Sequence, residues 1–355
     1  MRVALLLLIL VGHGLIWTGV VNRLHGYGMP RRLVKWLTLG CFVLLLAIPL
    51  SVVFSPATFG LIWAPWDRLT ELIRRPVIAI ALGYMGVCMA VTLVSMGLWT
   101  YRSAFAAAPR VLRAAHSRVV QLGPGVGPAS EERATDFLIS VPGNQTLHLD
   151  LAERAIELPR LPQALDGLVL VHISDFHFTG RVPKAYFREV VRYANELNPD
   201  LVALTGDFVD CPECLPWAAE VLGSLRAPHG VYFVLGNHDH KVDHRRLRED
   251  LKARGLIDLG GRWLQTTIRD QSVILAGNEM PWFVPAAELS RCPPRLPDGP
   301  VRIVLSHSPD QIDWAQHFDV DLLLAGHTHG GQIRLPWIGA LLSPSRAGVR
   351  YASGL

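Results

Sequence analysis

Long apolar runs occupy the first hundred residues. Residues 3–21, 36–54 and 77–101 are uncharged and apolar, and each is close to the length of about 20 residues that a helix needs to cross the hydrocarbon core of a bilayer. This pattern predicts three transmembrane helices. A signal peptide is the alternative for the first run, but no small-residue cleavage site follows it and two more long runs do. Residues 58–66 are apolar but short and contain Pro65, which favours an interfacial or re-entrant segment.

After about residue 134 the pattern changes to short apolar runs that alternate with helical stretches. Strands are predicted at residues 168–174, 201–205, 231–235, 263–269, 272–276, 301–305 and 321–325. Helices are predicted at residues 185–197, 217–225, 244–254 and 311–318. Alternation of this kind is typical of a layered α/β domain.

A segment rich in alanine, arginine, glycine and proline, residues 102–133, lies between these two parts. Its start is interpreted as an amphipathic basic helix on the membrane surface, and the stretch QLGPGVGPASEE as a flexible linker. We therefore expect a membrane region at 1–101, a basic juxtamembrane segment and linker at 102–150, and a folded α/β domain at 151–355.

Composition and charge narrow the class of protein. The chain has 355 residues, is 50% hydrophobic and only 18% charged, and its net charge of +4 is carried by scattered arginines. Because no dense basic block is interleaved with aromatic residues, nucleic acid is not expected as a partner. The five cysteines form no disulfide framework, and this weakly favours a reducing compartment. Cys211 and Cys214 form a CPEC motif that is interpreted as an incidental loop, with a redox or zinc half-site as the alternative.

Lysines and arginines that flank the apolar runs predict the orientation in the membrane. The first loop and the segment after the third run carry Arg23, Arg31, Arg32, Lys35, Arg102, Arg110, Arg113 and Arg118. The opposite flanks carry Arg2, Arg68, Arg74 and Arg75. Since positive charge concentrates on the cytoplasmic side, the C-terminal part is expected in the cytoplasm.

Residues of the types that commonly bind metals follow five of the predicted strands. The five motifs, in order, are Asp175-Phe176-His177, Gly206-Asp207-Phe208-Val209-Asp210, Gly236-Asn237-His238-Asp239, Ser306-His307-Ser308 and His327-Thr328-His329. In open α/β sheets, ligands gather at the carboxyl ends of strands. Carboxylate, imidazole and amide oxygen without thiolate suit Mn, Fe or Zn, and the number of donors is about enough for two metals.

The last of these motifs stands in the stretch LLLAGHTHGGQ, residues 322–332. Side chains at positions i and i+2 of an extended segment share one face, so His327 and His329 can point into one site. The flanking glycines, Gly326 and Gly330, allow close approach of the backbone to ligand atoms. Asp239 is expected to brace the loop that carries Asn237 and not to contact metal.

In this order, the motifs DxH, GDxxD, GNHD, a later histidine and GHTH resemble the calcineurin-like metallophosphoesterase superfamily over residues 168–351. The segments LPRLPQALDGLVLVHISDFH and GHTHGGQIRLP are most similar to the bacterial membrane-anchored branch of that family. The resemblance implies an α/β/β/α layered sandwich, two divalent or transition metal ions, and hydrolysis of phosphoesters. It also implies a multi-pass protein of the bacterial inner membrane.

The resemblance further assigns roles to single residues. The first metal would be held by Asp175, His177, Asp207 and His329. The second would be held by Asp207, Asn237, His307 and His327, so that Asp207 bridges both. His238 would be the general acid, and Asp210 the carboxylate that orients it.

The chain departs from the family pattern in two places. The Ser/Thr protein phosphatases have an arginine that grips phosphate where this chain has Cys211, which argues against a protein phosphatase. Phosphate recognition is thereby left open, with Arg334 and Arg181 as weak candidates. The sequence also stops at YASGL, where relatives continue through further strands, so the domain is expected to be truncated or to close early.

The function predicted from these features is a membrane-anchored dimetal phosphoester hydrolase. Its expected partners are the lipid bilayer and a phosphorylated or lipid-linked small molecule, such as a UDP-linked lipid precursor. The alternatives are a phosphodiesterase that acts on small soluble substrates and a non-catalytic scaffold with the same fold. A transport protein is disfavoured because the membrane runs contain no charged residue.

Overall fold

The structure, a computed structural model, describes residues 2–54, 76–105, 111–123, 141–294, 296 and 299–353. The chain divides into two compact units. The first comprises Met1–Ala108 and Gly330–Gly354, and the second comprises Pro109–His329 with the last residue. The stretch at 58–66 and most of the expected linker at 121–132 lie outside the described residues.

Three long helices form most of the first unit: α1 (Arg2–Gly26), α2 (Arg31–Phe54) and α3 (Pro76–Phe105). Each is long and apolar enough to span a membrane, over Arg2–Gly26, Arg31–Ser51 and Ile78–Tyr101. The three predicted spans are therefore present as helices, and the protein is a membrane protein. The unit also contains the antiparallel hairpin of β11 (Ile333–Leu335) and β12 (Gly339–Leu342).

A small residue and a polar network hold the three helices together. Gly12 brings α1 against α3 so closely that a Cβ atom there would lie 1.8 Å from the carbonyl oxygen of Cys88. The buried His13 joins all three helices, with Nδ1 2.6 Å from Tyr84 Oη and Nε2 3.1 Å from the carbonyl oxygen of Leu45. Because a carbonyl only accepts, His13 donates from Nε2 to Leu45. Such contacts are the usual means of association between helices in a bilayer.

The second unit alternates strands and helices. Its strands are β1 (Leu112–Gln121), β2 (His148–Ile156), β3 (Leu170–Ile173), β4 (Leu201–Thr205), β5 (Val231–Val234), β6 (Ile257–Asp258), β7 (Trp263–Ile268), β8 (Gln271–Asn278), β9 (Val301–Ser306) and β10 (Leu322–Ala325). Its helices are α4 (Lys184–Glu196), α5 (Leu215–Leu222), α6 (His244–Ala253) and α7 (Ile312–His317).

Two four-stranded sheets form the centre of this unit, in the orders β3-β4-β5-β6 and β10-β9-β8-β7. The first sheet is parallel throughout, and in the second only β7 runs antiparallel to its neighbour. Alternation along β4 shows how the layers arise. Leu201 and Ala203 pack between the sheets with Ile303 of β9, whereas Val202 and Leu204 pack against the helices on the outer face.

Helices cover the outer face of each sheet. On α4 the buried positions Phe187, Val191 and Ala194 are spaced by four and three residues, and they form the apolar stripe that faces the first sheet. Trp314 and Phe318, at α7, pack against Ile274 and Val304 of the second sheet. The order of layers is therefore α/β/β/α, and the predicted fold class is confirmed.

Two local findings differ from the sequence analysis. Leu112–Gln121 forms strand β1, paired with His148–Ile156, where an amphipathic surface helix was expected. The alanines and arginines of this segment suit a helix, but pairing with a strand that begins 27 positions after its end, from Gln121 to His148, overrides that local preference. The sulfur atoms of Cys211 and Cys214 are joined in a disulfide, a pairing that was not expected from the sequence.

Candidate metal centre

Five loops at the carboxyl ends of the two sheets carry the candidate ligands. Each candidate follows its strand by one to four residues: Asp175 and His177 after β3, Asp207 after β4, Asn237 after β5, His307 after β9, and His327 and His329 after β10. The carboxyl ends of neighbouring parallel strands lie at one edge, so the fold brings together residues that are up to 154 positions apart.

The first group of ligand atoms consists of Asp175, His177 and His329, whose donor atoms lie within 4.8 Å of one another. The Nε2 atoms of His177 and His329 are 3.1 Å apart. Asp175 Oδ1 lies 3.7 Å from His177 Nε2 and 3.5 Å from His329 Nε2. Asp207 Oδ2 lies 3.7 Å from the same nitrogen of His177. The family resemblance assigns His177, Asp175, Asp207 and His329 to a first metal, and ligand atoms of the last three lie within 3.7 Å of His177 Nε2.

The second group consists of Asp207, His307 and His327, all of them buried. His307 Nε2 lies 3.3 Å from Asp207 Oδ2 and 2.9 Å from Asn237 Oδ1. These are the four residues that the sequence assigned to a second metal. Because Asp207 Oδ2 is close to His177 on one side and to His307 on the other, this carboxylate lies between the two groups.

His238 and Asp210 stand beside the first group. His238, Asp207 and His177 form a further cluster of potential donors, and His238 Nε2 is 4.0 Å from Asp207 Oδ2. Asp210 contacts both histidines, since Oδ1 hydrogen-bonds His238 Nδ1 and Oδ2 lies 3.0 Å from His177 Nδ1. One carboxylate thus orients two imidazole rings, which the sequence analysis proposed for His238 alone.

Hydrogen bonds on the far side of the rings fix the direction of the ligand atoms. His307 donates from Nδ1 to the carbonyl oxygen of Thr205 at 2.7 Å, which leaves Nε2 directed at Asp207. The carboxylate of Asp175 accepts a bond from the backbone N–H of His327, at 3.0 Å from Oδ2. The ring of Trp282 packs 4.7 Å from that of His327. These contacts order the site before any ligand binds.

The backbone of the ligand loops is held in unusual conformations. Five of the candidates have a positive φ, between 47° and 70°: Asp175, His177, Asp207, His327 and His329. A residue with a side chain in this region costs about 1 kcal/mol or more. Gly326 allows the closest approach, because a Cβ atom there would lie 1.8 Å from Ser174 Oγ and 2.6 Å from Asp175 Oδ2. Strain at a set of ligand positions is typical of a functional site.

The carboxylates and imidazoles of the site lie close enough together to shift one another's pKa values. Burial and the nearby charge of His307 have opposite effects on Asp207, and the net result is a pKa well below its usual range. Burial lowers the pKa of His177, but hydrogen bonds to Asp175 and Asp210 raise it to about 10. In the same way the charge of Asp207 raises the pKa of the buried His307 to about 9. In the metal-free protein, protons on these imidazoles balance the carboxylates.

His327 gives the most direct test of whether a metal fits. Burial lowers its pKa to about 3, and the nearby charge of His307 acts in the same direction, so this ring is neutral. Its Nε2 atom is buried and has no hydrogen-bond partner among the described residues. An unpaired buried nitrogen costs about 1–3 kcal/mol. A neutral imidazole nitrogen that faces a carboxylate and a second imidazole is a ligand for a divalent cation, so the residues fit a metal.

Other residues singled out in the sequence lie elsewhere or have other contacts. Arg334 belongs to the first unit, where Nη1 donates to Ser353 Oγ at 3.0 Å. Asp239 is fully buried and bonds only backbone N–H groups among the contacts described, as expected of a bracing residue. The sequence analysis did not identify Lys241, whose Nζ bonds Asp210 Oδ1. Its position three residues after His238 was the available signal.

Comparison with known proteins shows the family to which the chain is related. The family model for calcineurin-like phosphoesterases matches residues 168–331. An uncharacterized metallophosphoesterase of Bacillus subtilis, YkuE, is 30% identical over 211 residues, covering 58% of this chain and 73% of the relative. A zebrafish (Danio rerio) transmembrane protein with a metallophosphoesterase domain is 33% identical over 230 residues, covering 56% of this chain and 49% of the relative.

A third relative has a named substrate. The UDP-2,3-diacylglucosamine pyrophosphatase LpxG of Chlamydia trachomatis is 28% identical over 233 residues, covering 51% of this chain and 69% of the relative. The match to the family model, residues 168–331, includes the loops that carry the two groups of ligand atoms. The chain therefore belongs to the calcineurin-like metallophosphoesterase family, whose members are metal-dependent phosphoesterases.

Proposed function

We propose that the protein hydrolyses a phosphodiester or pyrophosphate bond in a membrane-associated substrate and uses two metal ions to do so. The observation that supports this most is the position of Asp207. Its Oδ2 atom lies 3.7 Å from His177 Nε2 and 3.3 Å from His307 Nε2, between two groups of nitrogen and oxygen donors. A carboxylate shared by two groups of donors is the arrangement expected of a two-metal phosphoesterase.

Two sets of residues would hold the ions. The first set is Asp175, His177, Asp207 and His329, and the second is Asp207, Asn237, His307 and His327. The chemistry that bound divalent cations supply is Lewis acidity at the phosphoryl oxygens and activation of a water molecule. The mixed nitrogen and oxygen donors favour Mn, Fe or Zn.

The proton for the leaving group would come from His238. Its side chain is 31% exposed, so a substrate can reach it. Asp210 holds Nδ1 and thereby keeps Nε2 directed toward the cluster at Asp207. In the charged imidazole, Nε2 carries the proton that a departing oxygen needs. Asp210 also holds His177, so it couples the position of the acid to that of a metal ligand.

The membrane helices are evidence for a substrate that is located at the bilayer. Three spans keep the second unit within reach of the membrane surface through the chain alone. LpxG, a relative at 28% identity, is named as acting on UDP-2,3-diacylglucosamine, which joins a nucleotide to an acylated sugar through a pyrophosphate. We infer that a UDP-linked lipid precursor is a suitable candidate. The arginines and lysines beside the helices support a cytoplasmic catalytic part.

The test uses the full-length protein in nanodiscs, stripped of metal and reloaded with Mn²⁺. UDP-2,3-diacylglucosamine is compared with UDP-N-acetylglucosamine, which keeps the pyrophosphate and lacks the acyl chains, and with bis(p-nitrophenyl) phosphate. The proposal predicts the highest kcat/KM for the acylated substrate and loss of all three activities in Asp207→Asn. Asp243→Asn, a change at the exposed N-terminus of α6, is the matched control.

Each remaining outcome points to a named alternative. Hydrolysis of soluble diesters without preference for the acylated substrate would indicate a phosphodiesterase for which the helices only provide location. Failure on all three substrates, in folded protein loaded with metal, would favour a non-catalytic scaffold. A reporter fused after Leu355 tests the side of the membrane, and activity only outside the cytoplasm would contradict the proposed orientation.

A further inference from the structure

The hairpin β11–β12 exposes four large apolar side chains within six residues of the chain. Trp337, in the turn, is 91% exposed, and Ile338 beside it is 59% exposed. On β11, Ile333 and Leu335 are 49% and 42% exposed. Large exposed apolar side chains grouped on one short element of a folded protein suggest a site of interaction with a membrane or a partner.

The hairpin is fastened to the ends of two membrane helices. The buried side chain of Asn22, in the last turns of α1, donates from Nδ2 to the carbonyl oxygen of Leu341 and accepts from the backbone N–H of Ser343, both at 2.9 Å. Its amide thus pairs with the backbone as a neighbouring strand would. Trp99, near the end of α3, donates from Nε1 to the carbonyl oxygen of Trp337 at 3.2 Å.

The two helices end on the same side of a bilayer. Helices α1, α2 and α3 would cross in alternate directions, so the C-terminal ends of α1 and α3 share one face. The exposed rings of Trp99 and Tyr101 occupy the last turns of α3. Tryptophan and tyrosine concentrate where the hydrocarbon gives way to the headgroups. The bond from Trp99 therefore places the turn of the hairpin at the depth of the interface.

The charge of the segment fits the same location. Residues 330–353 contain three arginines, Arg334, Arg346 and Arg350, and no aspartate or glutamate. A basic segment that also exposes tryptophan and isoleucine matches a surface of anionic lipid headgroups over acyl chains.

We propose that the tip of the hairpin, Trp337 and Ile338, inserts into the interfacial layer of the bilayer and that anionic phospholipids favour the insertion. The hairpin is then a further membrane contact, separate from the three spans. In sequence it follows His329 by four residues, so the chain that supplies the last candidate ligands continues directly into a lipid-bound element. The proposal does not depend on the reaction that the protein catalyses.

The experiment measures the depth of the tip in a bilayer. Full-length Trp337→Cys, labelled with an environment-sensitive fluorophore, is reconstituted in phosphatidylcholine vesicles with and without phosphatidylglycerol. Quenching by doxyl-labelled lipids is compared with quenching by aqueous iodide. The variant Trp337→Cys removes one of the two side chains that are proposed to insert. Ile338→Cys is therefore labelled as well, because it retains Trp337. Glu249→Cys, on the exposed face of α6, reports a site in water. Labelling of the native cysteines is measured on the unsubstituted chain and subtracted.

At both hairpin positions we expect the emission of the label to be blue-shifted, quenched by doxyl lipids and protected from iodide. All three effects should be larger in vesicles that contain phosphatidylglycerol. The label at position 249 should show the reverse. Iodide quenching at the hairpin equal to that at position 249 would overturn the proposal. Protection from both quenchers would also overturn it, because it would show that a protein surface covers the hairpin.

Discussion

The buried carboxylate of Asp239 accepts a hydrogen bond from the backbone N–H of Asp207, with 3.0 Å between Oδ2 and the nitrogen. The same carboxylate accepts from the N–H groups of Phe208, Val209 and Gly236 at 2.8–3.0 Å. It therefore joins the loop after β4 to the loop after β5 and fixes the backbone that carries the shared carboxylate. Burial and the charge of Asp207 raise the pKa of Asp239 to about 7, so this arrangement has an electrostatic cost.

The substitution Asp239→Asn should destabilise the protein by about 3 kcal/mol. An amide offers one oxygen and two N–H donors, so some of the four backbone N–H groups lose their acceptor, and unpaired buried donors cost about 1–3 kcal/mol each. The free energy of unfolding from denaturant titration measures the effect. The control Asp243→Asn, at the N-terminus of α6, should cost about 1 kcal/mol or less. A variant at position 239 as stable as this control would contradict the bracing role.

Replacing His238 by alanine should lower kcat and leave the metal content unchanged. A general acid contributes about 10²–10⁴-fold, and the contribution depends on how much the leaving group needs a proton. The loss should therefore be large for an alkyl phosphodiester and small for a p-nitrophenyl ester, whose leaving group departs without one. Equal losses on both substrates would show that His238 does not act as the acid.

Asp210→Asn should differ from His238→Ala, because Asp210 contacts His177 as well as His238. We expect lower kcat together with metal affinity weakened by about 10–100-fold, the usual effect of removing a carboxylate that orients a ligand histidine. Measurement of bound metal by mass spectrometry, alongside kcat, separates the two effects. Unchanged metal affinity would show that Asp210 orients only the general acid His238 and does not support the ligand His177.

Loading of the metal-free protein should release protons. Since the pKa of His177 is raised to about 10 and that of His307 to about 9, both rings are protonated at neutral pH and must lose their protons to bind a cation. Calorimetric titration with Mn²⁺ in buffers of different ionisation enthalpy measures the release. The affinity should fall as pH falls. Heats independent of the buffer would show that the ligands are already deprotonated.

The same shifts predict how the stability of the metal-free protein depends on pH. A histidine whose folded pKa lies above its unfolded value of about 6.5 stabilises the folded state below that value, and the contribution is lost as pH rises through the folded pKa. Metal-free protein should therefore lose stability between about pH 6.5 and 10. Thermal unfolding with and without metal tests this, because bound metal should reverse the trend.

A buried ion pair outside the site gives a further test of the fold. Arg248 on α6 bonds Asp258 Oδ1 and Glu279 Oε2, each at 2.6 Å, and both carboxylates are buried. Arg248→Met should cost about 3–5 kcal/mol, because it leaves both acids without their cation. Burial raises the pKa of Glu279 even with Arg248 present. Protonation at lower pH removes the unpaired charge, so the deficit should shrink as pH falls. A deficit independent of pH would argue against this origin.

Much of the fold was predictable because its signals are local. The three membrane helices and the elements from β3 to β10, except the two-residue β6, lie within a few residues of the predicted ranges. Buried parallel strands such as β4 appear as continuous apolar runs, and α4 shows its helical spacing of apolar positions. The hairpin β1–β2 was missed, because its partners are separated by a linker and neither strand shows a strict apolar alternation.

The identities of the candidate ligands were predictable from the sequence, whereas the geometry of the site was not. Among the described residues, the members of the three clusters of potential metal ligands all lie in the five sequence motifs, because ligand type and position after a strand can be read from the sequence. The positive φ of Asp207 and His327 and the bond of Asp210 to His177 were not predictable, because each depends on loops that meet only in the folded chain. The same reason explains why Lys241 was missed.

In the proposed function, Asp207 is shared by two metal ions in a phosphoester hydrolase. Metal content and hydrolysis of bis(p-nitrophenyl) phosphate, measured together on the unsubstituted protein and on Asp207→Asn, test this sharing. We expect two Mn²⁺ per chain with hydrolysis in the unsubstituted protein, and loss of metal with a fall in activity of more than about 100-fold in the variant. A folded variant that keeps both metals and full activity would show that Asp207 is not shared by two metal ions.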